Sequence, residues 1–179
     1  RNSAAATGAL WEPKSWLGAA TLESVDEVNE QVLVLLRAQC LVGAAQPPLL
    51  RDVSGLLLSL DAHALRRAAA SAVVLVDAGL GDDGLWSDAI IGAVNDRPPP
   101  AKAAFFTVEG AVAVMRLVMT HAWHLSRSEP AAAQLLLGLS AANLAVIGGC
   151  TLSRLTRLAE SHSQWLRPRW ENRPGIWGD

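Results

Sequence analysis

Residues 136–170 read LLGLSAANLAVIGGCTLSRLTRLAESHSQWLRPRW, and the folding of this stretch decides the reading of the whole chain. It opens as an uncharged apolar run, becomes an amphipathic pattern with arginines on one side, and closes in a segment rich in Trp and Arg. From Pro130 to Ser153 there is no charged residue, a length sufficient to cross a bilayer. Gln134, Ser140, Asn143, Thr151 and Ser153 interrupt that run, as do Gly138, Gly148 and Gly149, and it splits at Gly138-Leu139-Ser140. Two short core helices and a turn are therefore expected, and no membrane span. Ser140 is placed to cap the second helix, and Thr151 the amphipathic helix after it. In that last helix Leu152, Leu155, Leu158 and Ala159 recur at helical spacing and should face the core. Arg154, Arg157 and Ser161 fall on the opposite face.

The composition agrees with a helical protein. The chain has 179 residues, 51% apolar and 18% charged, enough to bury a sizeable core in one medium domain or two small ones. Ala and Leu dominate and Tyr is absent, which favours an all-α fold. The net charge of −2 is uneven: residues 1–100 hold seven basic against twelve acidic side chains, residues 101–179 eight against five. A polyanion would meet the second half. Cys40 and Cys150 lie in apolar helical patterns, away from any CxxC or Cys/His cluster, and read as buried reduced thiols of a cytoplasmic protein.

Taken in order, residues 1–20 look irregular, with Trp11 and Trp16 as anchors. Ser24 and Glu27 have capping-box spacing, predicting a helix from Val25 to Val42 with Val28, Val32, Leu35, Leu36 and Gln39 on one face. GAAQPP (43–48) is a loop, Leu49–Leu58 a short helix, and Asp61 the cap of a helix ending near Ala70. Ser71–Ala78 is ambiguous between helix and strand. Residues 79–84 form a turn, and 85–94 another short helix. NDRPPPA (95–101) is a stiff linker. Thr107 then caps a long helix reaching about Leu125, with Val108, Val112, Met115, Met119, Ala122 and Leu125 inward. Pro130 opens the next helix.

The two sides of the linker match each other. Ser-Val-Asp at 24–26 answers Thr-Val-Glu at 107–109, and LLSLDA (57–62) answers LLGLSA (136–141) at an offset of 79. At that offset Leu65 meets Leu144, Val73 meets Leu152 and Val76 meets Leu155. The chain thus divides into residues 1–20, a first repeat over 21–94, the linker 95–101, and a second repeat over 102–179. Such a tandem pair can bury its faces as a homodimer would, about a pseudo-two-fold axis.

The second repeat resembles the FlhD family of bacterial transcription activators over about 50 residues without a gap. The match runs from the helix end at 122–125 through Glu129, Ala131 and Ala133 to Leu137-Gly138, then Thr151-Leu152, Arg157-Leu158-Ala159-Glu160 and Arg169-Trp170. Cys150 stands where the family has Leu, Arg157 where it has Lys, His162 where it has Asn, and Pro168 where it has an aromatic residue. The resemblance implies two FlhD-like helical repeats packed as an intramolecular dimer. It also implies an FlhC-like zinc-binding partner subunit, promoter DNA, and RNA polymerase recruited through the complex. Some members of the family act on conjugative elements, others on flagellar genes.

Arg154, Arg157, Arg167, Arg169 and Arg173 are candidate DNA contacts, because a guanidinium fork suits phosphate oxygens. A solvated helix face is the competing reading. Trp165, Trp170 and Trp177 are candidates for the partner interface, or else clamps of the tail onto the helices. His121 and His124 have a spacing compatible with metal, but no Cys is near in sequence and Glu129 is the only close acid, so no metal and no cofactor are expected. His63 and His162 are isolated. Gly-rich phosphate loops, GxSxG, HExxH and paired helical carboxylates are all missing, and Asp82-Asp83 reads as a solvated turn, so an enzyme is not expected. A helical adaptor without DNA contact is the alternative function. A helical enzyme or ligand-binding bundle is a third class.

Overall fold

The computed structural model describes residues 17–42, 46–92 and 103–178. The tryptophans at 11 and 16, residues 43–45 of the GAAQPP loop and the 95–101 linker lie outside the described residues. Eight helices dominate what is described: α1 (Ala19–Leu41), α2 (Pro48–Ser59), α3 (Ala62–Ala69), α4 (Asp83–Ile91), α5 (Val108–Ser128), α6 (Pro130–Leu137), α7 (Ala141–Gly148) and α8 (Leu152–Ser161). Two two-residue strands, β1 (Val76–Asp77) and β2 (Arg167–Pro168), pair antiparallel, with Val76 opposite Pro168 and Asp77 opposite Arg167.

α5 is the central element. It packs against α6, α7 and α8 of its own half and crosses α1 of the other. Its buried stripe is Ala111, Val114, Met115, Val118, Met119, Ala122 and Leu125. Val108, expected inward, is 70% exposed in the first turn, and Val112 is half-buried. Helical spacing puts Val112 at the margin of the buried stripe, whereas Val108 lies on the stripe by angle and is exposed at the very first position of the helix. Gly110 lies where α5 meets α1: a Cβ there would run into the Leu35 side chain.

α1 starts six residues before the expected Val25. The Ser24 hydroxyl does not cap; it donates to the Thr21 carbonyl inside the helix (2.8 Å). Thr21 is buried and its hydroxyl donates to Glu129 beside α6 (2.8 Å), so a tertiary contact extends the helix past its local start signal. Gln39, expected inward, is only half-buried, and its Oε1 accepts from the Thr107 N–H (3.1 Å). Thr107 takes the N-cap position of α5, but its side chain makes no capping bond; three other caps act as expected. Asp61 accepts from the Ala64 N–H, Ser140 from Asn143 and Thr151 from Arg154. α4 begins earlier than expected because Asp82 accepts from the N–H groups of Gly84 and Leu85.

The ambiguous stretch is extended. Val74, Val76, Ala78 and Leu80 are buried in strict alternation, the period of a strand. This strap runs between the two halves, held by side chains from several elements. Asn29 of α1 donates to Ala69 O (3.1 Å) and Val73 O (3.0 Å) and accepts from the Leu75 N–H (2.8 Å). Trp86 of α4 donates to Ala78 O (3.0 Å). Asn143 of α7 donates to Leu80 O (2.9 Å) and Asp82 O (2.7 Å). From the tail, the Arg169 N–H donates to Leu75 O (2.9 Å).

At the offset of 79, α8 therefore falls on an extended segment, and α4 takes the fourth helical place of the first half. α4 packs on α7, whereas α8 packs on α5. α6 and α7 are bent by 118° about Gly138, whose φ of +71° is a left-handed C-cap that glycine adopts freely. No single helix among the described residues is long and apolar enough to cross a membrane.

Candidate functional site

α7, the turn Gly149-Cys150-Thr151 and α8 form a helix–turn–helix unit seated on α5. The turn is gripped from below. Trp123 of α5 donates its indole N–H to Cys150 O (2.8 Å), and the Arg127 guanidinium lies over the Trp123 ring, 4.8 Å from its centroid. Gly148 ends α7 close to Ser126, where a Cβ would sit 3.3 Å from the serine Cβ. Leu155, Leu158 and Ala159 are buried as expected. Leu152, expected inward, is 49% exposed in the first turn.

The outer face of α8 presents Ser153, Arg154, Thr156 and Arg157, all exposed. The Arg154 guanidinium donates to the Ile90 carbonyl at the end of α4. Arg116 and Glu160 form an exposed ion pair between α5 and α8. Between α7, α8 and the tip of α4 lies an open groove of about 710 Å³, with Ile90, Val146 and Leu158 on its apolar side and Thr151, Arg154, Arg157 and Ser161 on its polar side. Cys150 also borders it. Burial pushes its thiol up while Arg154 opposes the shift, and burial likewise raises Cys40; both cysteines are buried and unpaired.

The tail arginines divide. Arg167 pairs with Glu171 (2.7 Å), donates to Ala103 O (2.8 Å) and lies over Phe105. Arg169 is half-buried and donates to Val76 O (3.3 Å) and Leu136 O (3.4 Å). Burial pulls its guanidinium down, and Asp77 pushes it back up. Neither carries a free guanidinium to a ligand. Arg173 is exposed. The structure thus brings Arg154 and Arg157 together on the outer face of α8, Arg154 tied to the end of α4, and engages the Arg167 guanidinium with Glu171 and Ala103 and that of Arg169 with Val76 and Leu136.

Trp165 packs edge-on against Trp86 (5.0 Å, 82°) and beside His162 (4.2 Å). Trp177 donates to Arg169 O (3.0 Å). Both clamp the tail internally. Trp170 alone of the three is exposed, at φ +54°, a conformation that strains a bulky side chain. His121 is buried. Burial holds its imidazole below the ordinary value and the neighbouring His124 adds to this. No group of three or more His, Cys, Asp or Glu among the described residues is arranged to hold a metal ion.

Trp123, Arg127, Asn29 and Asn143 escaped the sequence reading. Asn143 carried a signal, since a lone amide inside an uncharged apolar run needs buried hydrogen-bond partners. Trp123 and Arg127 carried one too, a Trp/Arg pair at i,i+4 in the last turns of α5. No family model, curated protein or solved structure matches the chain.

Proposed function

We propose that this chain is a DNA-binding subunit of a transcription activator of the FlhD kind, with two repeats fused as a pseudo-two-fold pair. In this reading it acts in the cytoplasm, without catalysis, beside an FlhC-like zinc-binding subunit. It meets promoter DNA through α8 and reaches RNA polymerase through the complex. One observation carries the reading: an arginine-bearing helix, exposed along Ser153, Arg154, Thr156 and Arg157, follows a three-residue glycine-containing turn. That arrangement suits a helix laid into a major groove by its N-terminal residues. The fused pair is supported by the recurring order of one long and three short helices and by the α1–α5 crossing at Gly110.

The test is promoter binding by the full chain with an FlhC-like partner. Replacing Arg154 and Arg157 together by Gln should weaken binding and lower the slope of log affinity against log salt by about 2, one unit per lost phosphate contact. An unchanged affinity and slope would sink the α8 reading. A second reading, the adaptor without DNA contact, is favoured by the internal engagement of Arg167 and Arg169 and the acidic first half. It is distinguished by partner capture that survives the double substitution while no promoter binding occurs with or without the partner.

A further inference from the structure

We propose that the groove between α7 and α8, closed at one end by the tip of α4, binds a small amphipathic anion: an oxyanion head on an apolar body about the size of a medium-chain carboxylate. Its volume of about 710 Å³ lies within the range of small-molecule sites. Its floor is apolar, made by Ile90, Val146 and Leu158. Its polar rim carries two guanidiniums and two hydroxyls, and no carboxylate is among its lining residues; Arg154 also donates to the Ile90 carbonyl, which leaves Arg157 the freer cation for a ligand. Glu160, the acid nearest in sequence on α8, is paired with Arg116. An apolar floor beneath unneutralised guanidiniums selects an anion with a hydrophobic body. It rejects a cation of the same body, and a bare phosphate leaves the floor uncovered.

The groove shares Arg154 and Arg157 with the outer face of α8. The regulatory consequence, that an occupant competes with DNA for these two side chains, rests on the function proposed above. The site itself does not. Ligand and DNA binding are then linked, each weakening the other by the same factor.

The experiment is calorimetric titration of the full chain with decanoate, and with decyltrimethylammonium as a probe of equal chain length and opposite charge. Decanoate should bind saturably, one per chain, and the cation should not. Arg157→Gln, at an exposed position, should weaken decanoate about tenfold, the worth of one charge-assisted hydrogen bond. Ala145→Trp, from the exposed side of α7, should fill the groove and abolish binding, with circular dichroism reporting that the fold is kept. Absence of saturable binding to the wild type, equal binding of the cation, or unchanged affinity in the Arg157→Gln chain overturns the site. Decanoate binding in a chain that never binds promoter DNA leaves the site standing and removes the DNA reading. Promoter binding without decanoate binding does the reverse.

Discussion

At the scale of single residues, the strap shows how one buried amide fixes a chain that local propensity leaves undecided. Asn29 is fully buried and satisfies two carbonyls and one N–H of residues 69–75. Asn29→Ala strands the Val73 carbonyl and the Leu75 N–H, while Ala69 O keeps the Ser71 N–H (2.7 Å), so its cost should be about 2–4 kcal/mol. A urea midpoint shifted by less than about 0.5 kcal/mol equivalent would refute this. Asn29→Leu should do no better, because the orphaned groups belong to the backbone. His121 sets a second expectation. Its folded-state pKa lies below the ordinary value of about 6.5, because burial and then His124 disfavour the cation. The unfolded chain therefore binds the proton first. This contribution to stability is complete above about pH 6.5 and is lost as the pH falls toward the folded value. Urea midpoints at pH 7.5 and 5.5 should fall more in the wild type than in His121→Gln; equal falls would remove His121 as the cause.

At the scale of elements, helices whose start is decided within three residues were legible, and those decided from afar were not. Asp61, Ser140 and Thr151 cap their own next turns, so the sequence names them. Ser24 offers the same signature, yet Thr21 reaches Glu129 more than a hundred residues away and the helix begins earlier. Val73–Leu80 has apolar residues compatible with either period, and partners distant in sequence, Asn29, Asn143, Leu136, Ser140 and the tail at 167–169, settle it as extended. The candidate face was half legible for a similar reason. Arg154 and Arg157 follow helical spacing, but nothing local tells Arg173, which is exposed, from Arg169, which carbonyls of the strap and of α6 hold. The helix–turn–helix itself depends on Trp123. Trp123→Phe keeps the ring under Arg127 and removes the bond to Cys150 O, so it should cost about 1 kcal/mol. It should also speed hydrogen exchange at the turn amides of Cys150 and Arg154 more than at mid-α5. Exchange that rises evenly along α5 and α8, or not at all, would show that the turn is held by its own geometry.

At the scale of the whole molecule, the question is whether either half is a folding unit. The two halves share the α1–α5 crossing, the α4–α7 packing and the β1–β2 pair. Much of the burial also crosses between them: Trp86, fully buried on α4, packs edge-on against Trp165 of the tail, and Leu80 O is bonded by Ser140 and Asn143 of the second half. A half expressed alone would expose these apolar faces and leave the strap's carbonyls without partners, which a segment of this size has too little core to offset. Cutting the chain within residues 95–101 should therefore give two fragments that fail to fold separately. Co-expressed, they should recover a one-to-one complex with the spectrum of the intact chain. The second half alone offers the sharper discrimination, because it keeps α5–α8 and the whole candidate face. Should it fold as a symmetric homodimer, α5 pairing would suffice and the first half would be replaceable. Should it fold only when residues 17–92 are supplied, the fused partner is required. In that case the strap, pinned by Asn29 from one side and Asn143 and Arg169 from the other, is what couples the two halves.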